Sequence, residues 1–513
     1  MKRRAKSNEE AFSVAHLSEN LSAHTARGSF ITISTQPVRI VLQFVATAIL
    51  ARLLSPADFG LIAMASAVTS FAALFADIGI GAATFRISDL KQDTVSGLFF
   101  FNLAIGLGLL PLVWIAAPIS AAFFRDSRLT LLVISLSFSI PMSALGAQHT
   151  VLLLRTMRQL PLQLSGVAGH AAGALAGVIA AWVFHMGYWS LVVTAWVASI
   201  VTTSLLWIAC PWRPSRVHAW TGAVDALKVG LNVTGYSVLN YFHRQLDNVL
   251  LGWRVGTVEL GYYSRAYQLM LMPLNVFGNS LTASIEPALS RLQPEPARWR
   301  LALLDALAMA SFLGCGMAAL LAVGSRPLIH LLYGPQWDRA ATMFQLLAVA
   351  LFAGVPTNAI GWIYVSLGRT DRFLRWYLIF TPVLALAFLI AAPHGGEAVA
   401  LAYALVMNLM LVPAFAYATH NTPVSLADTL KTILPMMIAG VIAAAVGFAI
   451  PVHTLPDLAE LVLSDAAAGT VFLGLTACLV AAHPRYATLR TRLITLLKSA
   501  LDTVSRARGP VPR

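Results

Sequence analysis

The sequence predicts an all-α integral membrane protein with about fourteen transmembrane helices. Three observations lead to this fold class. Apolar residues (AVILMFWYC) form 58% of the 513 residues and charged residues only 11%, against roughly 25% charged residues in a soluble protein. The mean hydropathy is +0.74. The apolar residues fall into long runs, and a run of about 20 is what a helix needs to cross a bilayer.

The first 28 residues are polar and charged, and they lack the apolar core of a cleavable signal peptide. They predict a tail or an interfacial helix before the first apolar run, which starts near Phe30 and continues as a full span. The predicted spans are about 30–51, 59–85, 95–118, 129–151, 160–184, 188–210, 227–251, 262–287, 300–323, 341–366, 375–393, 398–418, 432–450 and 462–482.

The positions of the basic residues predict the orientation. Of the 35 Lys and Arg residues, 26 lie in the two termini and the alternate loops on their side, and 6 lie in the opposite loops. Because Lys and Arg accumulate in cytoplasmic loops, this asymmetry predicts that both termini are cytoplasmic. It also supports an even number of spans, since a miscounted span would break the alternation.

Two stretches, Leu50–Gly60 and Leu251–Gly261, resemble each other and indicate an internal repeat with an offset of 201 residues. Each ends an apolar run, crosses a short turn and enters the next span through an acidic residue, an apolar residue and a glycine. Ser55 and Thr257 are the predicted helix N-caps. Six spans separate the two stretches, so the halves have parallel topology, as in transporters built from two lobes.

This repeat defines the predicted domain organisation, with two six-helix lobes followed by two further helices. The polar segment after the sixth span is the natural link between the lobes. The predicted parts are a cytoplasmic N-terminal tail (1–28), an N-lobe (29–210), a cytoplasmic linker (211–226), a C-lobe (227–418), spans thirteen and fourteen (419–482) and a basic cytoplasmic tail (483–513).

Polar side chains inside the predicted spans indicate a hydrophilic cavity, because such groups are costly at bilayer depth and usually face one. Gln36, Arg39 and Gln43 share one face of the first span, since they are three and four residues apart. Guanidinium groups suit phosphate because they form bidentate hydrogen bonds. The residues predicted to line a substrate-binding cavity are Arg39, Gln43, Asn240, Arg244, Asp247, Asn248, Tyr263 and Arg265.

A second interpretation of these residues stays open. Arg244 and Asp247 are three residues apart and would neutralise each other within one helix, while Arg39 would extend its charge towards the interface. Asp77 and Asp247 are the candidates for binding a coupling ion. For Asp77 and Glu286, placement near a helix end is the simpler explanation.

The remaining motifs predict neither a cofactor nor a metal. Cys210, Cys315 and Cys478 are isolated, which excludes a disulfide framework and a zinc site. The chain has no P-loop lysine motif and no DxD pair, and its histidines lack ligand spacing. The basic loops lack the interleaved aromatic residues of a nucleic-acid groove. The basic tail after residue 483 indicates either an amphipathic helix on anionic membrane lipids or a segment that only sets orientation.

Two blocks of sequence carry a resemblance to a known family. The first block is Ile49–Leu61 with Phe75–Gly79, and the second is Gln245–Gly252 with Leu260–Tyr267, continued by Pro287–Leu292. Together they resemble Wzx-type polysaccharide flippases, in the colanic-acid and exopolysaccharide branch of the multidrug/oligosaccharidyl-lipid/polysaccharide superfamily. The resemblance extends over roughly the first 300 residues, and beyond them it depends on the span pattern.

The resemblance implies a flippase that moves an undecaprenyl-pyrophosphate-linked oligosaccharide from the cytoplasmic to the periplasmic leaflet of a bacterial inner membrane. It implies alternating access of the two lobes, a lipid groove on spans thirteen and fourteen, and contact with a polysaccharide polymerase and export machinery. One departure is visible, because Leu154–Leu160 lacks the acidic residue that family members often carry after the fourth span. This departure leaves the glycan open.

Two other functions are alternatives to a flippase for this sequence. An ion-coupled drug or metabolite antiporter of the same superfamily would use acidic residues for its cation, but the predicted cavity is mainly cationic. A membrane polysaccharide polymerase or ligase would need a large extracytoplasmic loop, and the longest candidate is about residues 324–340. The sequence therefore favours a transporter over an enzyme.

Overall fold

The computed structural model describes residues 21–76, 90–217, 244–450 and 455–482, together with Phe12, Thr84, Tyr241 and Phe242. These residues are helical or lie in turns, and no strand occurs among them. The chain divides into two compact units, Met1–Gly261 and Tyr262–Arg513. The predicted all-α class is therefore confirmed, while the proposed lobe boundaries stay a prediction.

The first unit contains eight described helices and the start of a ninth. They are α1 (Leu21–Leu53), α2 (Pro56–Ala76), α3 (Gln92–Phe124), α4 (Arg128–Ser137), α5 (Ser139–Arg155), α6 (Gln159–Trp182), α7 (Trp189–Ala209), α8 (244–255) and α9 (Thr257–Leu292). Helix α9 continues into the second unit.

The second unit is also helical throughout its described residues. Its helices after α9 are α10 (Pro296–Val323), α11 (Ser325–Tyr333), α12 (Asp338–Val349), α13 (Leu351–Gly354), α14 (Asn358–Ser366), α15 (Thr370–Ala391), α16 (Gly396–Leu409), α17 (Leu411–Thr419), α18 (Leu426–Ala449) and α19 (Asp457–Ala482), with 3₁₀ turns at Pro335–Trp337 and Ala392–His394.

Twelve segments of the described chain are long and apolar enough to cross a membrane. Two of the fourteen predicted spans are not among them. The seventh falls largely on residues outside the description, and the eighth lies in α9, which carries charged residues at both ends. The twelve are Ser34–Leu53, Pro56–Ala76, Gln92–Phe124, Arg128–Arg155, Gln159–Trp182, Trp189–Ala209, Pro296–Val323, Pro335–Ser366, Thr370–His394, Gly396–Thr419, Leu426–Ala449 and Asp457–Ala482.

Three of these segments contain short breaks in the helix near a proline. The breaks lie at Phe138, at Met410, and at Ala350 and 355–357 within one segment. Pro141 and Pro413 follow the breaks at Phe138 and Met410 by three residues, and Pro356 lies within 355–357. A proline has no N–H to donate, and its ring crowds the carbonyl four residues earlier. These prolines favour the breaks beside them, although other spans continue through an internal proline.

Small residues bring helices of the first unit into close contact. A Cβ added to Gly169 would stand 1.9 Å from Thr202 Oγ1, and one added to Gly177 would stand 1.8 Å from Thr194 Oγ1. Both glycines lie on α6 and both threonines on α7. Such small-residue spacing lets membrane helices approach closely where no hydrophobic force drives them together.

In the second unit, the last two helices pack on α10. Gly440 of α18 lies against the Cys315 carbonyl, where an added Cβ would stand 3.0 Å from the oxygen. Gly316 of α10 lies against the Phe472 ring of α19. Helices α18 and α19 also contact each other. The two C-terminal spans are therefore part of this unit's core.

The two repeated turns meet within the first unit. A Cβ added to Gly60 would stand 1.8 Å from the carbonyl oxygen of Thr257, and one added to Gly261 would stand 1.8 Å from that of Pro56. Pro56 and Thr257 are the first residues of α2 and α9. The repeat seen in the sequence is therefore also a reciprocal contact, which needs glycine because no side chain fits.

The first predicted N-cap is confirmed and the second is wrong. The Ser55 hydroxyl accepts a hydrogen bond from the Asp58 backbone N–H at 3.4 Å, and the Ser55 N–H donates to Asp58 Oδ2 at 2.9 Å. This reciprocal pair is a side-chain cap of the capping-box kind. Helix α9 instead includes Thr257, and Gly256 precedes it with a φ of 95°. Glycine adopts that conformation without the steric cost of a Cβ.

Candidate functional site

Helix α1 has two different exposed faces. Val41, Val45 and Ile49 are exposed and apolar. Arg39 and Gln43 are exposed as well, but at about 100° per residue they lie about 120° and 160° from Val45 around the helix. An apolar face suits lipid tails, whereas an exposed arginine and amide suit water or a polar ligand. The polar face predicted for the first span is therefore present on α1.

The predicted arginines of the first and seventh spans carry uncompensated charge in the described part of the chain. Arg39 and Arg244 are both exposed. Within the described residues, neither makes a hydrogen bond or an ion pair. In particular, no ion pair joins Arg244 to Asp247, which does not favour their mutual neutralisation. Among the described residues, neither guanidinium group is engaged, and their role in binding an anion stays a prediction.

Helix α8 holds the acidic and amide residues of the predicted site together. Asp247 is buried, and its Oδ1 accepts a hydrogen bond from the backbone N–H of Asn248 at 2.8 Å. The Asn248 side chain donates to Gln245 Oε1 at 3.0 Å. These contacts fix the three side chains beside Arg244.

Aromatic contacts fix the chain just before α8 against α2. The Tyr241 hydroxyl donates to the carbonyl oxygen of Ala67. The Phe71 ring lies 5.4 Å from the Tyr241 ring and 5.7 Å from the Phe242 ring, centre to centre. Tyr241 and Phe242 were not predicted as site residues, yet they set the position of Arg244 relative to α2. Their aromatic pair inside a predicted span was the available signal.

Two predicted residues belong to the second unit. Tyr263 is fully buried, and its ring stacks on that of Tyr267 with centres 5.8 Å apart. In this conformation Tyr263 therefore lines no open space, and its place in a sugar path stays a prediction. Arg265 is half-buried and lies near enough to Tyr333 to interact with it electrostatically. Asn240 and Asp77 lie outside the described residues.

A cavity of about 490 Å³ lies inside the first unit, between α2, α3, α5, α6 and α7. We call it the Asn102 cavity. Asn102 lines it and is 3% exposed, and the Asn102 Oδ1 has no hydrogen-bond partner among the described residues. This site was not predicted from the sequence, although a lone asparagine within the apolar run 98–110 was a usable signal.

The other walls of the Asn102 cavity are built from small, hydroxyl-bearing and branched aliphatic side chains, with one imidazole. None of its described lining residues is Asp, Glu, Lys or Arg. The lining residues are Ala73, Ala76, Asn102, Ile140, Ser143, Ala144, Gly146, Ala147, Thr150, Val151, His170, Ala198, Ser199, Thr202, Thr203 and Leu206.

The fold is that of a multi-pass membrane transporter. The chain superposes on the lipid II flippase MurJ in an inward closed conformation with a TM-score of 0.68, at 15% identity, covering 89% of this chain and 99% of MurJ. An inward-facing multidrug resistance MATE family transporter of the MOP superfamily gives a TM-score of 0.57, at 13% identity, covering 77% of this chain and 96% of the transporter. These likenesses define the fold.

The family follows from the sequence itself. A family model described as "Polysaccharide biosynthesis protein" matches residues 49–342, and the chain belongs to this family. It is 24% identical over 381 residues to the succinoglycan biosynthesis transport protein ExoT of Rhizobium meliloti (strain 1021), covering 74% of this chain and 77% of ExoT. The predicted resemblance to Wzx-type exporters is confirmed.

Two further relatives have related names. The teichuronic acid biosynthesis protein TuaB of Bacillus subtilis (strain 168) is 25% identical over 462 residues, covering 88% of this chain and 94% of TuaB. The lipopolysaccharide biosynthesis protein WzxC of Escherichia coli (strain K12) is 21% identical over 363 residues, covering 70% of this chain and 73% of WzxC. Each relative takes part in making a different glycan polymer.

Proposed function

We propose that this protein is a flippase of surface polysaccharide biosynthesis. It moves an undecaprenyl-pyrophosphate-linked oligosaccharide from the cytoplasmic to the periplasmic leaflet of a bacterial inner membrane, by alternating access of two lobes. The observation that carries the proposal is the state of Arg39 and Arg244, both exposed within a membrane-embedded fold and without an ion pair among the described residues. A pyrophosphate is a ligand that two such groups can bind.

Family membership and fold support the same function. The named relatives take part in succinoglycan, teichuronic acid and lipopolysaccharide biosynthesis. The TM-score to a lipid II flippase is higher than that to a multidrug transporter. In this proposal Gln43, Asn240, Asn248, Tyr263 and Arg265 contact the sugars or the pyrophosphate, and Asp247 or Asp77 binds the coupling ion. The protein moves its substrate without chemical change, and a polymerase uses the product.

The test is deletion of the gene, followed by measurement of surface polysaccharide and of lipid-linked repeat units in spheroplasts. We expect loss of polymer, with repeat units that an external glycan-modifying enzyme cannot reach because they remain in the cytoplasmic leaflet. Complementation with the wild-type gene should restore both. Normal polymer and normal lipid-linked pools, together with altered sensitivity to toxic compounds, would identify an antiporter instead.

A further inference from the structure

The Asn102 cavity is large enough for a ligand and is separate from the arginines of the proposed site. Its volume of about 490 Å³ far exceeds the roughly 30 Å³ that one water occupies in the liquid. It falls within the range of about 300–1,000 Å³ that is usual for small-molecule pockets. None of the residues predicted as substrate-binding lines it.

A buried polar group in this cavity lacks a partner. Asn102 is more than nine-tenths buried, and its Oδ1 accepts no hydrogen bond from the described residues. A buried carbonyl without a donor is unfavourable, so the amide fits a ligand that donates a hydrogen bond. Within the described part of the chain, the other polar side chains that line the cavity are neutral hydroxyls and the imidazole of His170, and the rest of the lining is aliphatic.

Two hydroxyls of the cavity differ from other hydroxyls in the same bundle, whereas a third, that of Thr203, donates to the Met142 carbonyl at 3.1 Å. Thr69 donates to the Ala65 carbonyl at 3.1 Å, and Thr194 donates to the Ser190 carbonyl at 2.9 Å. Such bonds to the carbonyl four residues earlier satisfy a hydroxyl within its own helix. Thr150 and Ser199, which line the cavity, make no hydrogen bond within the described residues. Their hydroxyls remain able to donate to a ligand and accept from it.

We infer that the Asn102 cavity binds an uncharged sugar ring of the transported glycan. A sugar ring presents several hydroxyls that both donate and accept, which matches the unpaired Asn102 amide and the hydroxyls of Thr150 and Ser199 in a cavity whose described lining has no charged side chain. A lipid tail would leave the Asn102 amide unpaired. This inference rests on the proposed function for the identity of the glycan, whereas the binding of a neutral sugar can be measured on its own.

The test uses the purified full-length protein in lipid nanodiscs, with methyl β-D-glucoside and methyl β-D-galactoside as probes. Saturation-transfer NMR should detect binding of at least one probe to the wild type. Asn102→Leu keeps the side-chain shape and removes the amide, so the affinity should fall about tenfold, as expected for one lost hydrogen bond. Thr150→Val should act in the same direction and serves as the second variant if Asn102→Leu does not fold.

Thr69→Val is the matched control, because that hydroxyl is satisfied within α2 and is not part of the cavity lining. It should bind the probe as the wild type does. A wild-type binding signal no stronger than the signals of both cavity variants would overturn the inference. Displacement of the glucoside by farnesol would overturn it as well, because it would assign the cavity to the lipid tail. Absence of probe binding to the wild type, while polysaccharide export still depends on the gene, would overturn the sugar site and leave the proposed flippase function in place.

Discussion

Gly60 lies directly against Thr257: a Cβ added to this glycine would stand 1.8 Å from the threonine's carbonyl oxygen. The repeat partner Gly261 has the same relationship to Pro56, at the same 1.8 Å. Each glycine lies four residues after the first residue of its own helix and contacts the first residue of the other. The two helix starts therefore approach each other as closely as their backbones allow.

We expect Gly60→Ala and Gly261→Ala to destabilise the protein to similar extents. The added methyl group meets backbone that cannot move aside without separating α2 from α9, and such overpacking costs about 1–3 kcal/mol or more. Thermal unfolding of the detergent-purified variants measures the effect. Gly108→Ala is the matched control, because nothing lies within 4 Å of its added Cβ. Wild-type melting temperatures for the Gly60 and Gly261 variants would contradict the close contact.

Arg39→Ala and Arg244→Ala should each abolish most polysaccharide export at a normal protein level. The expected loss comes from removing a bidentate phosphate ligand. Lysine at either position should restore export only in part, since an ammonium group is a point charge. Export and membrane protein level are measured in the complemented deletion strain. Arg298→Ala is the control, because Arg298 is exposed and pairs with Glu295 at 2.8 Å near a helix start. Unchanged export in the alanine variants would show that Arg39 and Arg244 do not bind the phosphate.

Asp247→Asn should keep the local hydrogen bonds of α8 and remove the charge. An asparagine oxygen can still accept from the backbone N–H of Asn248, as Asp247 does at 2.8 Å. If Asp247 binds the coupling ion, export by this variant should lose its dependence on the ion gradient that drives the wild type. The measurement is the appearance of repeat units in the outer leaflet of vesicles with and without imposed proton or sodium gradients. Wild-type dependence in the variant would assign coupling to another residue.

Asp126, in the loop between α3 and α4, should stabilise the folded protein in a way that depends on pH. The hydrogen bond from Arg128, at 2.7 Å, is the main cause that lowers the pKa of this carboxyl. Because folding lowers the pKa, the stabilisation is complete above the ordinary Asp value of about 3.9 and is lost as the pH falls through the folded-state pKa. Asp126→Asn should therefore be less stable than the wild type at pH 7.

The difference between the two proteins should shrink as the pH is lowered below 4 or so. Comparing their unfolding temperatures at several pH values measures this. Asp371→Asn is the control, since Asp371 is exposed and its ion pair with Arg375 spans 3.3 Å, a surface pair of little expected worth. A constant difference at all pH values would show that Asp126 acts through something other than its charge.

Local features were predictable from the sequence because they depend on neighbours along the chain. Apolar runs located the twelve spans that the described helices confirm, since crossing a bilayer needs a length of apolar helix. Ser55 and Asp58 predicted a helix start because a cap involves only four consecutive residues. The repeat of Leu50–Gly60 at Leu251–Gly261 was also recognisable in the sequence, because two turns with the same local structure share the same residue pattern.

Tertiary structure alone decided what those elements contact. The sequence repeat did not reveal that Gly60 contacts the start of α9 and that Gly261 contacts the start of α2. Those contacts depend on how closely the two helix axes approach. Tyr263 looked like a cavity residue, yet stacking on Tyr267 buries it. Asn102 was one polar residue among many in the sequence, and only the structure placed it in the lining of a cavity between five helices. Periodicity assigns a side chain to a face of its helix, but only packing determines whether that face meets lipid, another helix or an enclosed space.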